Sequence, residues 1–290
     1  MKAPLPLIML PLLLGCSCNK TERTSESTTP DRIRTLDEMP AGQLHVFLKG
    51  HAGDWRRDTD RSRGVPPPPI EKPCPSDVAR IALVKPDQLK LGTTPLAAVI
   101  NQRRSRRAYT ADSLTNDELS FLLWSTQGIV ETKKDEQGRV INQFRTVPSG
   151  GARHPFETYL AINRVDGIAP GIYRYLPTEH QLALVREDRD LPKALTDACY
   201  GQAHAGQAAV LFIWSAIPYR TEWAYGYLAP KLIAVDAGHV CENLYLAAES
   251  IGSGACAILG YDQATFDRLI QVDGNDEFTF YLASVGKVKR

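Results

Sequence analysis

The chain has 290 residues, with 34 basic and 33 acidic side chains and a formal net charge of +1. A nucleic-acid-binding protein would carry a clear basic excess, so the balance excludes that class of partner. Hydrophobic content of 43% with 23% charged residues is ordinary for a globular protein, and the length allows one domain of roughly 200 residues plus additional segments.

Lys2 precedes an apolar run over residues 5–14 that ends at Gly15 and Cys16. A positive start, a short apolar core and a small boundary residue describe an export signal. The run is about ten residues, whereas a bilayer span needs roughly twenty. Pro4, Pro6 and Pro11 oppose its packing as the first helix of a cytosolic protein. Leu13, Leu14, Gly15 and Cys16 resemble the bacterial lipobox, which implies diacylation of Cys16 and a lipid anchor. No twin arginine is present, so the expected route crosses the membrane unfolded. The expectation is an exported, membrane-anchored lipoprotein of the cell envelope, facing the periplasm, with a signal peptide at 1–15. Ser17 is not the aspartate that resembles a retention signal. The six cysteines show no CxxC spacing, so no structural zinc site is expected.

Residues 16–31, rich in Ser, Thr and Glu, read as a polar tether. Residues 32–93 form an N-terminal extension with a stiff run of four prolines at 66–69; it is placed to wrap the domain that follows at 94–290. Pro95 opens a helix carrying Leu96, Val99 and Ile100. Thr115, Asn116, Asp117 and Glu118 open another, with acidic residues at its positive end. Residues 159–162 read as a strand, and 171–176 with 180–185 as a hairpin. Residues 208–214 are apolar on both faces, as in a buried central strand. Val240, Leu244, Ala247 and Ile251 recur at helical spacing over 233–251, with Gly252 as the stop. Residues 278–285 close the chain as a strand. The expected class is α+β, with a central mixed or antiparallel sheet flanked by helices.

Three elements carry candidate chemistry. Arg103, Arg104, Arg106 and Arg107 surround Ser105, and forked guanidinium donors with a hydroxyl suit a phosphate monoester; a solvated basic loop is the alternative. Pro148, Ser149, Gly150 and Gly151 form a segment whose backbone can approach a flat ligand, or simply turn. Gly252 to Gly260 is a small-residue stretch that also reads as a helix stop followed by a tightly packed strand. A P-loop, a Rossmann GxGxxG and a Gly-x-Ser-x-Gly elbow are all missing. His239 has no second histidine or cysteine at i+3 or i+4 and reads as structural.

Taken together and in order, the segments resemble one family. They are Arg103 to Tyr109, Leu119 to Trp124 with Gln127 and Gly128, Arg145 to Gly151, Pro155 to Tyr159, and Pro170 to Tyr175. Asp236 to His239, Asn243 to Leu246 and Gly252 to Cys256 complete the set. The run resembles the nitroreductase-like flavoproteins, most closely the SagB-type (ThcOx-like) dehydrogenases. The resemblance implies a homodimer with flavin mononucleotide (FMN) at the subunit interface. It implies that Arg103, Ser105 and Arg107, with Arg104 close by, hold the FMN phosphate and that Pro148, Ser149, Gly150 and Gly151 lie along the flavin ring. It further implies that Leu259 and Gly260 face the flavin edge, that Lys287 is a further phosphate-facing base, and that Tyr225 is catalytic. The implied reaction is hydride transfer between flavin N5 and a small-molecule or peptide substrate. Ala224 departs from the pattern, standing where a lysine is expected, which removes one candidate base for azoline oxidation. A NAD(P)H-dependent nitro or quinone reductase, and a flavin-binding lipoprotein without turnover, are the other functions this resemblance accommodates. An exported enzyme would lie apart from cytosolic NAD(P)H, which favours transfer of electrons to oxygen or a quinone.

Overall fold

The computed structural model describes Leu48 and residues 58–289. The expected signal peptide, Cys16, the tether and most of the extension before residue 58 lie outside the described residues. No helix among the described residues is long and apolar enough to cross a membrane.

A seven-stranded sheet organises the domain. Its strands in chain order are β1 (Arg80–Ala82), β4 (Phe156–Ile162), β5 (Gly171–Leu176), β6 (Gln181–Glu187), β7 (Val210–Ala216), β8 (Ser253–Ile258) and β9 (Phe278–Lys287), arranged β1-β6-β5-β4-β7-β9-β8. A separate hairpin joins β2 (Ile129–Lys134) to β3 (Val140–Arg145). Every strand pairing is antiparallel, so the antiparallel form of the expected sheet is the one found. Parallel contacts occur as isolated bridges, of which Ser105 to Ala255 lies on the edge strand β8.

The helices are α1 (Leu96–Gln102), α2 (Asn116–Gln127), α3 (Leu191–Ala198), α4 (Ala203–Gln207), α5 (Tyr219–Tyr225), α6 (Ala229–Ser250) and α7 (Gln263–Ile270). They cover both sheet faces. Along β7, Val210, Phe212 and Trp214 pack with Leu122 and Leu123 of α2 and Val240 and Leu244 of α6. The intervening Leu211 and Ile213 pack with Leu195 of α3 and Phe266 of α7. This alternation explains the unbroken apolar run: an antiparallel strand covered on both faces reads like a parallel one. Thr115 caps α2, its hydroxyl accepting from Glu118 N–H (3.2 Å) while the Glu118 carboxylate accepts from Thr115 N–H (2.9 Å).

Residues 58–78 run as a strap over this framework. Prolines at 66–69 offer carbonyl acceptors but no N–H, so the segment needs donors from the domain. Trp223 Nε1 donates to Val65 O (2.8 Å), Arg220 Nε to Pro69 O (3.1 Å) and Arg174 Nη2 to Pro73 O (3.0 Å). Beneath the strap Arg220 pairs with Glu157 at 2.5 Å, each nearly sealed from solvent, and the same Glu157 oxygen accepts from Lys72 N–H (2.9 Å). Lys72 Nζ reaches Glu277 at 2.5 Å. Arg220→Met should therefore lower stability by about 3–5 kcal/mol, because Glu157 would keep a buried charge without its cation. Urea denaturation measures this, and an unchanged midpoint would contradict a buried ion pair under the strap.

Candidate functional site

The arginine run leaves α1 in extended conformation and lies against β8. Arg106 N–H donates to Ala255 O (3.0 Å). Gly254 permits this approach, since a Cβ there would stand 2.8 Å from Arg106 Cβ. Arg106 turns inward and its Nε meets Glu249 at 3.4 Å. Arg103, Arg104 and Arg107 have no carboxylate partner among the described residues. Arg103 lies over the Tyr245 ring at 5.3 Å. Tyr245 Oη shares a hydrogen bond with Ser105 Oγ (3.1 Å) and accepts from Ala257 N–H (2.8 Å), which ties the arginine segment, α6 and β8 together.

Leu259 and Gly260 leave the end of the same strand. Leu259 is 72% exposed, and Gly260 O accepts from Gln202 Nε2 (2.8 Å). Lys287 lies opposite Ser253 in the β8–β9 ladder, and its ammonium is engaged by Glu118. Arg103, Arg104, Ser105, Arg107, Leu259, Gly260 and Lys287 thus belong to one edge of the sheet, organised by β8.

The Pro148, Ser149, Gly150 and Gly151 segment is held elsewhere. Ser149 Oγ donates to Asp236 Oδ2 (2.5 Å), Gly150 N–H donates to Asp236 Oδ1 (3.2 Å), and His154 N–H donates to Ser149 Oγ (2.9 Å). Burial raises the Asp236 carboxyl above its ordinary range, and the Ser149 and Gly150 bonds oppose that shift. Gly151 has φ +61, and an added Cβ would come within 2.3 Å of Tyr225 Oη. Tyr225 and the glycine loop are therefore in contact. Ala224 is only 4% exposed within α5, so a lysine placed there would begin in the interior.

Asp236 and Tyr245 organise the two groups from one helix. They stand nine positions apart on α6, which is about 14 Å along the axis and a net half turn around it. They flank opposite sides of the helix's buried stripe, so the arginine edge and the glycine loop of one chain lie on different sides of α6. Neither residue stands out in the sequence, because a buried Asp and a half-buried Tyr on one helix carry no local motif.

Two histidines flank the glycine loop, His154 through its backbone N–H and His239 near the Asp236 carboxylate. His239 is exposed on α6, in place of the structural role expected. His154 is buried, and its ring pKa is lowered to about 3 by burial and by the nearby charges of Arg145, Arg153 and Arg220. No cluster of metal-binding side chains occurs among the described residues.

Comparison with known proteins identifies the family. The sequence matches the nitroreductase family over residues 100–287. A Methanocaldococcus jannaschii protein named as a nitroreductase is 30% identical over 211 residues, covering 73% of this chain and 98% of that one. The chain belongs to the nitroreductase family and is a flavin oxidoreductase of that class. A crystal structure from Anabaena variabilis, also named as a nitroreductase, superposes with a TM-score of 0.61 at 25% identity, over 74% of this chain and 42% of that one. The trifolitoxin-processing protein TfxB of Rhizobium leguminosarum is 27% identical over 138 residues, or 44% of this chain and 36% of its own. The chain thus spans less than half the length of those last two proteins.

His154 yields a test of site electrostatics. It stays neutral when folded but binds a proton near pH 6.5 when unfolded, so stability is lost as pH falls below 6.5 towards 3. At pH 5 this loss amounts to about 2 kcal/mol relative to pH 7. His154→Asn suits the local φ of +46 and should remove that part of the pH dependence, as followed by thermal unfolding at pH 5 and 7. Identical pH profiles for the two proteins would refute the assignment.

Proposed function

We propose that this protein is an FMN-dependent oxidoreductase, similar to the SagB-type dehydrogenases, which transfers hydride between flavin N5 and a small or peptidic substrate. The observation that carries the cofactor assignment is the set of three arginines at 103, 104 and 107 without carboxylate partners among the described residues, fixed beside Ser105 by β8 and Tyr245. Forked cations held without counterions suit a phosphate monoester. The glycine loop supplies the complementary feature, a backbone bare enough for a flat ring to approach.

Since these two groups lie on different sides of α6, one flavin is best accommodated between two copies of the chain. One copy contributes Arg103, Arg104, Ser105, Arg107, Leu259, Gly260 and Lys287, and the other contributes Pro148, Ser149, Gly150 and Gly151. Exposed Leu96 and Ile100 on α1, and Val235 on α6, support a homodimer through these helices. When bound, FMN supplies two-electron chemistry at N5. The protein's own part would be to hold the phosphate, set the path of the glycine loop through Asp236, and present Tyr225 Oη beside Gly151 as a proton donor or acceptor for the substrate. The likeness to a trifolitoxin-processing protein supports a peptidic substrate. The buried Ala224 leaves azoline oxidation without the expected lysine.

Export remains part of the proposal: residues 1–15 as a signal, lipidation at Cys16, the tether at 16–31, the extension at 32–93, and the catalytic domain at 94–290. The absorbance spectrum of the protein purified without residues 1–18 tests the cofactor assignment. Close to one FMN per chain is expected, lost in the Arg103→Ala, Arg107→Ala double variant. Tyr225→Phe should retain the flavin while reduction by a productive donor slows by about tenfold or more. A colourless protein that takes up no added FMN would overturn the reading.

A further inference from the structure

The strap brings a second pair of arginines beside the glycine loop. Arg61 N–H donates to Trp223 O (2.9 Å), and an added Cβ on Gly226 would lie 3.7 Å from Thr59. The guanidinium of Arg61 lies over the Trp223 ring at 5.9 Å, and that of Arg153 lies over the same ring at 5.2 Å. Arg153 Nε donates to Gly151 O (3.2 Å), which fixes it to the loop that meets Tyr225. Neither arginine has a carboxylate partner among the described residues. The strap's own Asp60 is occupied by Arg63 (2.6 Å) and by Tyr219 Oη (2.7 Å), and Asp58 also faces Arg63.

A guanidinium over an indole ring still has in-plane N–H donors to offer, and beyond the Nε of Arg153, which Gly151 O engages, those donors can meet an anion. The Arg61 charge opposes that of Arg153 beside the same ring, and a bound anion would relieve that repulsion. Arg153 also lines an open cleft of about 460 Å³ walled by Pro67, Pro68, Pro69, Ile70, Val140 and Ile141. Glu71 lines it too, with Oε2 engaged by the Thr178 hydroxyl (2.5 Å) and N–H (3.1 Å). The volume suits a small ligand, and its walls suit an apolar body.

We propose that Arg61 and Arg153 form an anion subsite that docks the carboxylate of an apolar acid beside the flavin loop, with the strap acting as a specificity wall. The inference rests on the functional reading above for its proximity to flavin, but binding is tested independently of turnover. Calorimetric titration of the purified protein with benzoate and with its neutral isostere benzamide reads the subsite directly. Benzoate is expected to bind at least tenfold more tightly than benzamide. Arg61→Gln with Arg153→Gln should abolish that preference, and Arg61→Gln alone, on an exposed side chain, should reduce it severalfold. Equal affinity for the two probes in the unaltered protein, or a preference that survives the double variant, would overturn the subsite. Because discrimination is read whether or not flavin is bound, absence of FMN would sink the enzyme assignment and leave this result standing. A short apolar peptide with a free or an amidated C-terminus separates the sources of the carboxylate: a loss of affinity on amidation identifies a peptide terminus, and no loss a small acid.

Discussion

Asp236 and Tyr245 project from a single helix, and each fixes one functional half of the molecule. The carboxylate of Asp236 gathers the Ser149 hydroxyl and the Gly150 amide, which sets the path of the loop leading to Gly151. The Tyr245 hydroxyl gathers Ser105 and the Ala257 amide, which sets the arginine run against the edge strand. Because α6 is rigid and packed along its length against the sheet and α2, the spacing between these anchors is fixed by helix geometry. Any ligand that uses both groups must accept that spacing or draw one group from a second chain, and the proposed dimer follows from this constraint.

The strap adds a second level of organisation. Its carbonyls meet donors from Arg174, Arg220 and Trp223, which are themselves seated on β5 and α5. Domain and strap therefore share their buried polar groups. Trp223 links this arrangement to the candidate site: its indole nitrogen binds the strap, its ring carries Arg61 and Arg153, and it lies two residues from Tyr225. A change in the strap would reach the glycine loop through Trp223 and through Arg220, which donates to Pro69 O and to His154 O.

Much of the architecture was legible in the sequence. The Thr115 capping box, the 171–187 hairpin, the central strand near 210–216 and the long helix all follow from local patterns that tertiary contacts reinforce. The direction of the sheet was less legible, because a strand covered on both faces is apolar whether its neighbours run parallel or antiparallel. The hairpin of β2 and β3 was missed, since its mostly exposed residues give no strong alternation. The helix opened at Pro95 is found, but of its apolar residues Leu96 and Ile100 are exposed and Val99 is buried. For the site, the arginine run and the glycine loop stood out by composition, whereas Asp236, Tyr245 and Arg61 depend on contacts between distant segments. The arginines at 103 and 106 look equivalent in sequence; only the structure shows that Arg106 is engaged by Glu249.

The most direct measurement is flavin content in mixed dimers of two inactive chains. One chain carries Arg103→Ala with Arg107→Ala, the other carries Gly151→Val, and differently tagged copies are co-expressed and purified through both tags. If one flavin site draws on both chains, each mixed dimer has one site with both defects and one intact site, so about one FMN per dimer is expected although neither parent binds any. Colourless mixed dimers, or chains that never co-purify, would contradict a site shared between two copies.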